Sequence, residues 1–176
     1  MTRREWEPVT KVKLIGFAAG FGIFLLVLFR SEPGFVFLLD YANLLFHEAG
    51  HPIFSLGGRF LGILGGSAMQ VLVPAVCAAA FLRQGQPFGR GLCGIWTGQS
   101  LVGTARYMAD ARAQRLPLLG GDDVIHDWNF LLGRLGLLNW DRALGGTTTF
   151  LAGLLIAASA IVAALACLEP PRSQSL

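Results

Sequence analysis

Residues 35–60, FVFLLDYANLLFHEAGHPIFSLGGRF, restrict the fold more than any other part of the chain. The stretch is apolar enough to enter a bilayer, yet it carries Asp40, Asn43, His47, Glu48 and His51. A charged side chain at the bilayer centre costs about 2.5–3.5 kcal/mol on insertion scales. Such groups are tolerated when they face a protein interior or a polar cavity and find a partner there. His47-Glu48-Ala49-Gly50-His51 is the pattern H-E-x-x-H, and it names the partner as a metal ion.

The rest of the chain fits a membrane setting. It is 176 residues long, 53% hydrophobic and only 14% charged, with mean hydropathy +0.56. Soluble domains average about 25% charged residues. The expected architecture is all-α: a polytopic membrane helical bundle forming one domain over residues 1–176. Five transmembrane helices are expected at residues 12–29, 35–56, 60–82, 91–111 and 144–168. Residues 127–139 have an apolar face broken by Arg134 and read as an interfacial amphipathic helix. The first apolar run lacks a small-x-small cleavage site and reads as a retained span. Gly, at 23 residues, suits close helix packing in lipid. Cys77, Cys93 and Cys167 lie in apolar runs and form neither a disulfide framework nor a C-x-x-C site. No concentrated basic face argues for nucleic acid.

The Lys/Arg bias sets the expected orientation. With the N-terminus cytoplasmic, inside segments hold Arg3, Arg4, Lys11, Lys13, Arg59, Arg112, Arg115, Arg134 and Arg142. Outside segments hold Arg30, Arg83, Arg90 and Arg172. The expectation is a multi-pass protein of a bacterial inner membrane, N-terminus inside and C-terminus outside, in contact with the lipid bilayer.

Residues i and i+4 of a helix share a face, so His47 and His51 can hold one zinc ion at about 2.0–2.1 Å. Glu48 projects about 100° away and is placed to act as a base rather than a ligand. A zinc ion lowers the pKa of water to about 7, and Glu48 can take the proton that is lost. A catalytic zinc takes three protein ligands and keeps one position open. Two candidates for the third stand out. Asp110 ends the fourth span on the cytoplasmic side, and His126 is the one His outside the motif. Asp122 and Asp123 read as solvated loop acids. Asp40 lies about 16 Å from His51 by helix rise, too far to share the ion, and can pair with Gln70 or Gln99. Those two amides read as interhelical hydrogen bonds. Pro52 cannot donate to the carbonyl of Glu48 and is expected to kink or weaken the helix there. The run 62–67 gives the third span a small-residue face for close packing or for an extended substrate segment.

On His47, Glu48, Ala49, Gly50 and His51 set in a span, with Gly57-Gly58 and Gly65-Gly66 beyond, the chain resembles the site-2 protease family of intramembrane zinc metalloproteases. The resemblance covers roughly residues 38–66. It implies zinc on His47 and His51, Glu48 as general base, and an Asp ligand from a later span, which Asp110 can supply. It also implies hydrolysis of a membrane-embedded protein substrate. The alternative is a non-proteolytic membrane subunit or assembly factor, held in a partner complex, with a structural or vestigial zinc site closed by four ligands.

Overall fold

The computed structural model describes residues 11–30, 37–118 and 124–168. Expectations for the N-terminal basic residues, the 31–36 connection, Asp122, Asp123 and the C-terminal tail lie outside them. The described residues form six helices and no strand: α1 (Lys11–Arg30), α2 (Phe37–Ser55), α3 (Arg59–Arg83), α4 (Pro87–Ala109), α5 (Asp127–Arg134) and α6 (Asp141–Leu168). Each of the five apolar stretches is thus helical.

Two helices are long and apolar enough to cross a membrane. These are Arg59–Arg83, with hydropathy 1.8, and Leu138–Leu168, with hydropathy 2.6. The apolar core of α1, Leu14–Leu28, is shorter. α2 and α4 are diluted by polar residues, and several of those residues turn inward, though Glu48 is exposed. Asn43, His47, Thr97, Gln99, Ser100 and Thr104 are all buried. Large apolar side chains turn outward, among them Leu45, Ile53, Val76, Phe150, Leu154 and Ile161. The buried polar groups share the interior with apolar clusters around Leu28, Ile95, Val102 and Ile156 and around Met108 and Leu132.

The helices approach each other through small residues. α4 lies along α6, α2 along α3, and α3 joins the two pairs. A Cβ on Gly94 or Gly98 of α4 would run into Ser159 or Ile156 of α6. A Cβ on Gly50 of α2 would run into the Gly65 carbonyl of α3, and one on Gly65 would lie 2.6 Å from Phe54 Cβ. Without such residues the backbones could not come this close. The α2–α3 connection is a tight turn: Gly57 N–H donates to Phe54 O and Gly58 N–H to Ser55 O, at 3.0 and 2.9 Å. Gly58 has φ 95°, a conformation in which a side chain is strained. α2 continues through Pro52 to Ser55, whose hydroxyl donates to the Pro52 carbonyl at 2.7 Å.

Residues 127–139 are not one helix lying flat on the bundle. α5 stops at Arg134, a turn with Gly136 at φ 69° follows, and a short 3₁₀ turn, Leu138–Trp140, leads into α6. The N-terminal end of α5 is buried through Asp127, Leu131 and Leu132. Asn129 Nδ2 donates to Ala111 O at 2.8 Å, and Trp128 Nε1 donates to Ser67 Oγ at 3.1 Å. At the head of α6, the buried Asp141 carboxylate accepts from Arg112 Nε at 2.9 Å and from Arg142 N–H at 2.7 Å.

Gly50→Ala is expected to force α2 and α3 apart and to destabilise the fold by about 1–3 kcal/mol, the usual cost of overpacking. Thermal unfolding of the purified protein measures this. A melting temperature equal to wild type would contradict the close crossing.

Candidate metal centre

The site lies where α2, α3, α4 and α5 meet. His47 and His51 stand on the inward face of α2. Asp127 is the first residue of α5, whose N-cap is His126. Asp127 Oδ2 lies 3.0 Å from His47 Nε2 and 3.5 Å from His51 Nε2. One donor atom from each of the three residues falls within a 4.8 Å cluster. These residues can therefore hold a metal ion.

The hydrogen bonds around the cluster fix which imidazole nitrogens carry protons. Thr104 spends its hydroxyl hydrogen on the Ser100 carbonyl at 3.0 Å, so its oxygen can only accept. Gln70 Nε2 donates to that oxygen at 2.7 Å and to the Ser100 carbonyl at 3.2 Å. Gln70 Oε1 is then left facing His47 Nδ1 at 3.1 Å, so Nδ1 holds the proton. His51 Nδ1 faces the Gly62 carbonyl at 3.0 Å and must donate as well. With Nδ1 committed as a donor, it is Nε2 of each ring that faces the Asp127 carboxylate and is the nitrogen available to a metal. Ligating histidines are held in this way, with the remote ring N–H given to a carbonyl or carboxylate.

The space for an ion is walled by a glycine. A Cβ on Gly66 would lie 2.7 Å from His47 Nε2 and 2.7 Å from His51 Nε2. A zinc–nitrogen bond is about 2.0–2.1 Å, so that methyl would crowd the volume a metal needs. The donor set and this cradle both fit a small divalent cation.

Glu48 is exposed, and among the described residues nothing is bonded to its carboxylate. Asp110 and His126 do not join the cluster. The Asp110 carboxylate accepts from the backbone N–H groups of Arg115 and Leu116 at 2.9 and 3.0 Å. His126 Nε2 lies 3.5 Å from Asp110 Oδ2, and His126 Nδ1 accepts from Asn129 N–H at 3.3 Å. Burial holds the His126 imidazole below its ordinary pKa, in keeping with a neutral ring. The third member of the cluster is Asp127, the residue after His126. In the sequence it opens the segment 127–139, which reads as an interfacial amphipathic helix. One signal was available: an acid beside the remaining His, at the head of an amphipathic segment.

Further along the α2–α4 contact a polar ladder holds the helices. Trp96 Nε1 and Ser100 Oγ donate to Asn43 Oδ1 at 2.8 and 2.9 Å. Asn43 Nδ2 donates to Gln99 Oε1 at 2.6 Å, and Gln99 Nε2 donates to Asp40 Oδ1 at 2.8 Å. Gln99 thus pairs with Asp40 across helices, while Gln70 serves His47.

No protein-family model, curated protein or solved structure matches the chain. What the fold and site define is a class: an all-helical protein with two helices able to span a membrane and a His/His/Asp group able to bind metal.

Two outcomes are expected on metal analysis of purified protein. Gly66→Ala is expected to lose its metal while Gly146→Ala, where an added Cβ meets nothing within 4 Å, keeps it. Gln70→Leu, which removes the partner of His47 Nδ1, is expected to weaken affinity by about 10–100-fold.

Proposed function

We propose that this chain is a multi-pass membrane protein with a zinc-dependent peptide hydrolase site of the intramembrane metalloprotease type. The carrying observation is the convergence of His47, His51 and Asp127 on one point, with both imidazole protons directed away from it. Two His and one carboxylate is a ligand set of catalytic zinc hydrolases, which keep a fourth position for the reaction. The membrane reading rests on two helices long and apolar enough to cross a bilayer and on where polar and apolar side chains sit along the others. Polar groups pair inside α2 and α4 while large apolar groups face outward. On this reading α1, α2 and α4 span alongside α3 and α6, with the N-terminus cytoplasmic as the Lys/Arg bias suggests.

His47, His51 and Asp127 would hold the zinc ion, which would supply Lewis acidity and make water a stronger acid near neutral pH. Glu48 accepts the proton of the attacking water through its exposed carboxylate and returns it to the departing amine nitrogen. Gln70, Thr104 and the Gly62 carbonyl keep both imidazoles in the ligating tautomer. The Gly65–Gly66 backbone closes the inner wall. A substrate therefore approaches from the Glu48 side, where α2 presents Tyr41, Leu45 and Ile53 as exposed side chains. Those side chains suit a membrane-embedded peptide segment. A closed structural zinc site would need a fourth protein ligand, and the described residues place three.

The test is Glu48→Gln in protein reconstituted with a panel of single-span membrane proteins, fragments being read by mass spectrometry. Cleavage is expected to fall by at least about 10²–10⁴-fold, with zinc content unchanged. Wild-type protein that holds stoichiometric zinc and cuts nothing in the panel would sink the hydrolase reading. Asp127→Ala is expected to abolish zinc retention.

A further inference from the structure

Asp110 and His126 stand beside the metal cluster without belonging to it, and their contacts have a common direction. His126 is buried, 3% exposed, and its Nε2 has no hydrogen-bond partner within bonding distance. That atom faces Asp110 Oδ2 at 3.5 Å. The other ring nitrogen caps α5 by accepting from Asn129 N–H at 3.3 Å. Asp110 closes α4 and gathers the following turn by accepting from the Arg115 and Leu116 N–H groups. Between the two elements stands Tyr107. Its ring packs on His126 at 4.3 Å between centroids, and its hydroxyl accepts the Asp127 N–H at 3.1 Å.

The contacts of His126 and Tyr107 act on the first turn of α5, where Asp127 begins, and Asp110 ties them to the end of α4. A helix of 8 residues is too short to hold itself in place. Its carboxylate must nevertheless meet two histidines on another helix. Positional freedom in that turn would be freedom of the third ligand.

We infer that Asp110 and His126 form a latch between the end of α4 and the N-cap of α5, and that this latch positions Asp127 for the metal. They are positioning residues, acting through Asp127, and this rests on the metal-centre reading above. His126 has two separable duties: capping α5 with Nδ1 and facing Asp110 with Nε2. An asparagine keeps the first, because Asn is among the best N-caps, and abolishes the second.

The experiment measures Co(II) and Zn(II) affinity of the full chain in detergent by chelator competition, with the visible spectrum of the Co(II) form. His126→Asn and Asp110→Asn are each expected to lower affinity about tenfold or more, the usual effect of a group that orients a ligand. Each is also expected to change the Co(II) spectrum, and to lose more affinity than any fall in the metal-free melting temperature accounts for. The double variant is expected to lose no more than the weaker-binding single, since two halves of one latch are not additive. Wild-type affinity in His126→Asn, or additive losses in the double variant, overturns the latch. So does a metal-free melting temperature that falls in step with affinity. A wild-type protein that binds neither ion overturns the latch and the metal centre together. Tenfold losses in a protein that cleaves nothing leave the latch standing and remove only the hydrolase reading.

Discussion

The arrangement depends on the direction of one hydrogen bond, His47 Nδ1–H to Gln70 Oε1. Nothing intrinsic to imidazole decides which nitrogen keeps the proton. Here the decision is made two steps away. Thr104 gives its hydrogen to its own helix, so its oxygen accepts from Gln70, and the amide carbonyl of Gln70 must then face His47. A buried amide in the reverse orientation would set its oxygen against the Thr104 oxygen and the Ser100 carbonyl, acceptor against acceptor. The chemistry of the cluster is therefore set by a threonine on α4 through a glutamine on α3. Three helices have to pack correctly before α2 can present a usable ligand.

Helix packing and site geometry are one problem in this fold. The contact that brings α3 within reach of α2 uses Gly50 and Gly65, and the next glycine, Gly66, faces the imidazoles. Added side-chain volume at the crossing would act on the spacing of the donors as well as on stability. The polar ladder from Trp96 to Asp40 supplies the complementary constraint along α2 and α4, fixing rotation where small residues fix distance.

Much of this was legible in the sequence, and the limits have physical reasons. Five helices follow from apolar run lengths and glycine turns, and the pairing of His47 with His51 follows from helical periodicity alone. Which later residue meets them does not, because ligation across elements depends on where a loop returns. Depth in a span favoured Asp110 and residue type favoured His126. Both are spent on each other and on backbone groups. Asp127 had no role in the sequence beyond opening the amphipathic segment 127–139. Its burial is a property of how α5 docks, which periodicity does not encode. Gln70 was readable as an interhelical amide, but its service to His47 needed the third helix in place.

The brevity of α5 gives the metal cluster a second meaning. An ion bound by His47, His51 and Asp127 joins the longest-range contact of the site, between residues 80 positions apart. It is thus a cross-link that staples the smallest helix to the bundle. Ligand binding to the folded form stabilises it by mass action, and local opening is governed by the weakest element. Metal occupancy would then be read out as protection of the α5 amides from exchange, and the rate of metal loss would be the rate at which that one short helix lifts away.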